Sequence, residues 1–260
     1  MSGNLKIILS PTKTMKEHVN TSSLKKSYPE YLNESFVLIQ KLRELKVEHL
    51  MDTMSISLKL AEQNYKRFNN WEFPEKNSKD WFVSADLYSG EAYKGLDYQS
   101  LNEQEKIFAH QHLFILSGLY GIIKSNDLIY PYRLEMGLKW FISDEYPTLY
   151  KYWEDKITYF INQNVDSNSI IINLASNEYF KVIKRKEIKS PIITPTFKTL
   201  KNGNFKTIAI HSKLARGLMT RFIIKNKVSS IDELKKFNDG GYSYKDSLSN
   251  SNELLFTKEL

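Results

Sequence analysis

The 260-residue chain contains no cysteine. Disulfides, thiolate catalysis and cysteine-ligated zinc or iron–sulfur centres are therefore excluded. It also lacks any apolar run approaching the roughly 18 residues that a membrane-spanning helix requires. A single lysine precedes the end of the first short apolar run, which closes at Pro11, and this is not the pattern of a secretory signal. Several motif chemistries are missing as well. There is no Walker phosphate loop, no spaced glycine fingerprint for a dinucleotide, no nucleophile elbow and no metal-binding histidine pair at helical spacing. No Glu-x-x-His pair of the di-iron type occurs, so iron chemistry in a helix bundle is not expected. These absences lead to an expectation of no metal site, no cofactor and a cytoplasmic location.

What is present is a composition ordinary for a globular protein, 41% hydrophobic and 26% charged. A chain of this length can bury a real core. No linker, repeat or low-complexity tract divides it, so one domain over residues 1–260 is expected, as a monomer. The net charge of +7 is unevenly placed. Between Asn177 and Lys227 there are 13 Lys or Arg against only Glu178 and Glu187, a local charge of +11 that leaves −4 for the remainder. Such concentration suggests a phosphate or polyanion partner, against the plainer reading of a solvated basic face.

Residues 5–9 read as a strand buried on both faces, closed by Ser10-Pro11. A parallel strand delivers its next loop to a ligand crevice, which makes Ser10 and Lys13 candidates to hold an anion. Helical spacing runs through 29–68, with Leu32, Phe36, Ile39 and Arg43 on one stripe. Within it, Ser55-Ile56-Ser57 with Ala61 beyond has the form of a helix–hairpin–helix turn, whose apolar middle residue plugs the core. The small flanking residues leave backbone N–H groups free for a phosphate, with Lys59 beside them. Serine at both flanks departs from the usual glycine, and an ordinary two-helix corner is the alternative.

Asn102 and Glu105 form a capping box for a helix expected to carry Leu113 and Leu116 up to a glycine turn. His110 and His112, two apart, point away from each other on a helix and cannot share one ion. Tyr88, Tyr93 and Tyr98 are candidates to stack on bases or, more plainly, packing residues. Residues 138–141 and 148–161 read as helical around Pro147. Residues 170–174 read as a strand, and Ala175-Ser176-Asn177 as a turn opening a helix whose free N–H groups offer an anion site, with Lys181 nearby. Asn202-Gly203, between apolar stretches 192–200 and 205–210, is the strongest hairpin signal. The helix beyond His211 carries Lys213, Arg216 and Arg221. Because a hairpin reverses the chain, this pattern does not require Ser176 and Lys213 to share one end of a sheet.

The centre of the sequence holds its most unusual stretch. Ser117-Gly118-Leu119-Tyr120-Gly121 runs through Asp127 and Pro131 into Tyr132-Arg133-Leu134-Glu135-Met136-Gly137. The two glycines permit a tight turn, and Pro131 biases Tyr130 towards extended geometry. In extended backbone, Arg133 and Glu135 share one face with Leu134 and Met136 opposite. They form either a structural ion pair or one wall of a site, with Arg133 holding an anion and Glu135 orienting it or acting as general acid or base. Both are expected to be largely buried and partnered.

SGLYG…D…PYRLEMG resembles the signature of the YaaA family, the bacterial peroxide-stress-resistance proteins. The resemblance extends to LKIILSPTKTM at 5–15, INLASNEYFK at 172–181, ARGLMTRFII at 215–224 and SNELLF at 251–256. It implies a cytoplasmic stress-response protein that binds DNA and helps limit damage from free iron. It also implies a mixed α/β (α+β) fold, a single compact domain whose mixed sheet is flanked by helices, with a basic cleft and a helix–hairpin–helix-like element. On that reading Lys13, Ser55, Ile56, Ser57, Lys59, Arg133, Ser176, Lys181, Lys213, Arg216 and Arg221 contact DNA phosphates without sequence preference. A second reading is an enzyme acting on a nucleobase, nucleotide or nucleic acid. Lys13, Arg133, Glu135, Ser176, Lys213 and Arg216 then form its site, with Glu135 the candidate catalytic group. Convergence of those six in a deep pocket would favour the enzyme.

Overall fold

The computed structural model describes residues 4–16, 26–74 and 80–259. The chain opens with β1 (Asn4–Leu9) and the short β2 (Thr14–Met15), then α1 (Leu32–Arg43), α2 (Val47–Met54) and α3 (Leu58–Asn70). β3 (Phe82–Val83), α4 (Ser84–Leu87), β4 (Tyr88–Ser89) and α5 (Glu91–Leu96) lead to α6 (Glu103–His112). β5 (Leu113–Ser117), β6 (Gly121–Lys124) and β7 (Leu128–Ile129) follow, and an irregular stretch ends at α7 (Leu149–Asn164). The last part runs β8 (Ser169–Leu174), α8 (Asn177–Phe180), β9 (Ile192–Lys201), β10 (Asn204–Lys206) and α9 (Ala209–Asn226). It closes with α10 (Ile231–Leu234), β11 (Ser243–Tyr244) and β12 (Glu253–Lys258).

Eight strands form one mixed sheet in the order β11-β12-β9-β8-β1-β5-β6, with β10 paired to β9. β1 lies near its middle, parallel to both β5 and β8. A strand in that position is covered on both faces, which is why residues 5–9 read as a nearly continuous apolar run. Leu5, Ile7, Ile8 and Leu9 are all buried, and Lys6 is the one charge among them. β9 runs parallel to β8 and β12 parallel to β9, while β5–β6 is an antiparallel hairpin. Helices cover the sheet, giving a mixed α/β fold around one continuous core. No helix among the described residues is long and apolar enough to cross a membrane.

Several local expectations hold. Asn102 accepts from the Glu105 N–H while the Glu105 carboxylate accepts from the Asn102 N–H, each at 2.9 Å, a closed capping box. Asn202 and Gly203 both take positive φ, 54° and 72°, as a two-residue hairpin turn demands. Others change. The helix from Glu103 stops at His112, because residues 113–117 are all buried and pair with β1 and β6 as a strand. Residues 138–141 are irregular rather than helical. Strand β10 ends at Lys206 and helix α9 begins at Ala209, so 205–210 is divided between the two. Tyr88, Tyr93 and Tyr98 are core residues, with none more than 6% exposed, so none presents a ring for a base.

Candidate functional site

The loop after β1 and the turn after β8 meet at the C-terminal ends of two adjacent parallel strands, where open α/β sheets form crevices. The Ser176 N–H donates to Ser10 Oγ at 2.8 Å, and Tyr93 Oη donates to the Ser10 carbonyl at 3.0 Å. Asn173 Oδ1 takes the Ala175 N–H at 3.0 Å. The N–H groups of Ala175 and Ser176, just before α8, are thus used inside the protein. Residues of that terminus, Ser176, Asn177, Glu178 and Tyr179, still line the crevice.

Register explains how α9 joins them. Ile171 and Ile172 of β8 pair with Ile192 and Ile193, so β9 continues to Lys201, well past the end of β8 at Leu174. The return strand β10 is short and pairs Lys206 only as far back as Thr199. His211 Nδ1 then lies 3.2 Å from Thr199 Oγ1, and α9 starts above the same sheet edge that carries Ser176. Ser176 and Lys213 therefore share one cavity of about 620 Å³, with Ser10, Thr12, Lys13 and Arg216. Arg216 is half-buried and has no carboxylate within ion-pair distance among the described residues; burial draws its pKa down. Glu91 and Glu178 also reach the lining, but Glu91 is engaged by Lys94 at 2.6 Å and Glu178 accepts the Gly137 N–H at 3.2 Å.

A smaller recess carrying Arg133 and Glu135 adjoins this cavity and shares Pro11, Thr12, Lys13 and Tyr179 with it. Glu135 Oε1 lies 3.0 Å from both Lys13 Nζ and Arg133 Nη2. The side chains of Arg133 and Glu135 are 16% and 14% exposed, on the same side of an extended segment whose alternate residues Tyr132, Leu134 and Met136 are buried. The contacts to Glu135 Oε1 are close charge contacts rather than aligned hydrogen bonds, and Arg133 Nε has no partner among the described residues. The segment is fixed from behind. Ser117 Oγ meets Tyr132 Oη at 2.6 Å, Tyr132 Oη meets Tyr88 Oη at 2.8 Å, and Trp153 Nε1 donates to the Gly118 carbonyl at 2.8 Å. A side chain on Gly118 would strike the Leu134 carbonyl oxygen at 2.2 Å, so the glycine is what lets the two segments touch.

A family model described as peroxide stress protein YaaA matches residues 5–248. The chain belongs to the YaaA family. A UPF0246 protein of Francisella philomiragia subsp. philomiragia is 41% identical over 257 residues, covering 97% of this chain and 99% of the relative. A UPF0246 protein of Aliivibrio fischeri is 40% identical over 257 residues, with 97% and 98% covered. One of Clostridium botulinum is 39% identical over 258 residues, with 97% and 99% covered. The family's description is consistent with a role in the stress response.

In this YaaA-family chain the remaining candidates lie elsewhere. Ser55 ends α2 in left-handed geometry (φ 50°, ψ 55°), Ile56 packs on the core, and Ser57 is the N-cap of α3 without a side-chain capping bond. None of Ser55, Ile56, Ser57 or Lys59 lines the cleft. The Lys181 ammonium sits 4.3 Å from the centre of the Tyr150 ring. Arg221 donates to the Leu96 and Asp97 carbonyls at 3.0 and 2.9 Å, tying α9 to the end of α5. Lys184 pairs with Asp155. Of the 13 cations between 177 and 227, only Lys213 and Arg216 reach the cleft. Sequence reasoning missed Thr12 and Glu178, although each is adjacent to a residue it had selected, Lys13 and Asn177.

Proposed function

We propose that this protein, a single-domain monomer of the cytoplasm, acts in the peroxide stress response by binding DNA without sequence specificity, and so helps limit iron-mediated oxidative damage. The observation that carries this reading is Arg216, a half-buried guanidinium on the cleft wall with no carboxylate partner among the described residues. Withdrawing an unpaired cation from water is costly, and an incoming phosphate relieves that cost. Lys13 and Lys213 stand on the same cleft, with Ser10 and Ser176 as short polar groups in its lining. The turn between α2 and α3 is a second place for phosphate, with Lys59 in the first turn of α3 and no acidic residue there. Contacts of these kinds grip phosphate whatever the base, so sequence preference is not expected.

Titration with duplex and single-stranded oligonucleotides from low to physiological salt tests the proposal. If roughly five phosphates are neutralised, log K falls with log salt at a slope of about −4 to −5. Absence of binding at low salt, or a response flat in salt, would overturn it.

A specific observation favours a second reading, an enzyme acting on a nucleobase, nucleotide or nucleic acid. Lys13, Ser176, Lys213 and Arg216 line one cavity of about 620 Å³, and Arg133 and Glu135 line the adjoining recess. A cavity of that size accommodates a nucleotide, whereas backbone binding alone needs only a groove. Glu135, held between two cations, is the group to test for acid–base work.

A further inference from the structure

The N-terminal end of β1 carries a feature that the cleft does not explain. Lys6 is 9% exposed, a lysine set within a buried strand. Its ammonium donates to the Gln111 carbonyl at 2.8 Å, and no carboxylate lies within ion-pair distance of it among the described residues. Asp166 acts on it from farther away, with its own carboxylate occupied by Ser169 Oγ and the Asn168 N–H. A buried ammonium without a counter-ion is expensive to maintain for structure alone, since an apolar side chain would fill the same place at lower cost.

Lys6 lines a second cavity of about 360 Å³ with Lys124, His110, His112, Asn4 and Asn164. The cavity lies at the opposite end of the strands from the cleft, because Asn4 begins β1 and His112 immediately precedes β5, whereas the cleft follows the ends of β1 and β8. Among the described residues no acidic side chain lines it. His112 Nδ1 contacts the Leu5 carbonyl at 2.7 Å, which leaves Nε2 as its other polar atom, and His110 Nδ1 is buried with no hydrogen-bond partner among the described residues. Burial pulls the pKa of both imidazoles down, and neighbouring lysines act in the same direction, Lys124 on His110 and Lys6 on His112. A bound anion would offset those repulsions and give the Lys6 ammonium the counter-charge it lacks.

We propose that this cavity is a second anion site, one that takes the phosphate group of a small phosphorylated molecule. Lys6 and Lys124 supply the charge, while Asn4 and Asn164 supply neutral polar contacts at the rim. The cavity is larger than a bare phosphate needs, so a phosphate ester with a small polar body fits the space better than the free ion.

The test is titration of the full chain with inorganic phosphate and with ribose 5-phosphate, followed by two-dimensional NMR and by thermal unfolding. Both probes are expected to shift amide signals around Asn4, Gln111 and Lys124 and to raise the unfolding temperature, with the ester binding tighter. Lys124→Ala is expected to weaken binding about tenfold, the effect of one charge-assisted contact. Lys6→Met is expected to abolish the phosphate-dependent shifts around Asn4, Gln111 and Lys124 while leaving the unliganded fold at least as stable. Arg216→Ala removes the cleft's own phosphate contact, so it isolates the second cavity, and the shifts around Asn4, Gln111 and Lys124 should persist in it. Shifts confined to the cleft, affinity unchanged in Lys124→Ala, or no response to either probe would overturn the proposal. A response to inorganic phosphate with none to the ester would overturn the choice of ligand. DNA binding is read separately, so failure here leaves the cleft reading where it stands.

Discussion

Gly217 faces the carbonyl of Ala92 so closely that a Cβ at that position would stand 1.8 Å from the oxygen. The contact is reciprocal, since a Cβ on Gly95 would stand 2.4 Å from the Leu214 carbonyl oxygen. Helices α5 and α9 therefore touch backbone to backbone, and this crossing fixes the height of Lys213 and Arg216 above the cleft.

Gly217→Ala is expected to cost about 3 kcal/mol or more, because the obstructing atoms are backbone and cannot rotate away. Urea denaturation should show a lowered midpoint, and DNA affinity should fall in the fraction that still folds. A midpoint equal to that of the parent protein would show that the helices separate freely.

Arg216→Met should raise the stability of the free protein and weaken DNA binding, because it removes an unpaired, half-buried charge that an anion would otherwise satisfy. Lys213→Ala should lower affinity similarly for unrelated sequences and reduce the salt slope by about 1. Arg221→Ala should behave differently. Its guanidinium clamps the Leu96 and Asp97 carbonyls, so the variant should lose stability and keep the parent's salt slope. Equal salt slopes in the Lys213 and Arg221 variants would contradict the assignment of the cleft.

Glu135→Gln separates the two functional readings. The carboxylate holds Lys13 and Arg133 by charge, and glutamine preserves its shape. If the protein is an enzyme using Glu135 as acid or base, turnover of a nucleotide substrate should vanish with the fold intact. If the cleft only binds, DNA affinity should stay near that of the parent or rise slightly as Lys13 is released. Circular dichroism and unfolding curves serve to show that the fold survives in either case.

Asp86 is 3% exposed, and its Oδ1 has no hydrogen-bond partner among the described residues. Burial pushes its carboxyl pKa up, against the smaller opposing pull of Lys106 and Lys16. A raised folded value means that the folded state holds the proton more tightly than the unfolded chain. That stabilisation is complete below the unfolded pKa of about 4 and is lost as pH rises through the folded value. Asp86→Asn should therefore be more stable than the parent at pH 7, with the difference shrinking towards pH 4. Asp127 is shifted in the same direction by burial and remains in the variant, so the pH dependence should weaken without disappearing. A constant difference across that range would show that Asp86 does not titrate with folding.

The local features legible in the sequence were those decided by a few adjacent residues. The Asn102–Glu105 capping box, the Asn202-Gly203 turn, the buried run of β1 and the shared face of Arg133 and Glu135 all follow from spacing within a handful of positions. The family, too, was legible, because several of its motifs are long. Tertiary structure decided what depended on register and on close approach. Whether Lys213 meets Ser176 turns on how far β9 runs past β8 before β10 returns, and neither the pairing of Ile171 with Ile192 nor the shortness of β10 is written in the local pattern. The end of α6 at His112 was likewise set by the vacancy between β1 and β6, since an apolar run of four suits a helix and a buried strand equally. The basic segment shows the same limit. Sequence counts its 13 cations, but only the fold distributes them, sending Arg221 to backbone carbonyls, Lys184 to a carboxylate and Lys181 to an aromatic ring, and leaving Lys213 and Arg216 for the cleft. Charge along a chain is additive, whereas the partners that neutralise it are brought in from distant residues by packing.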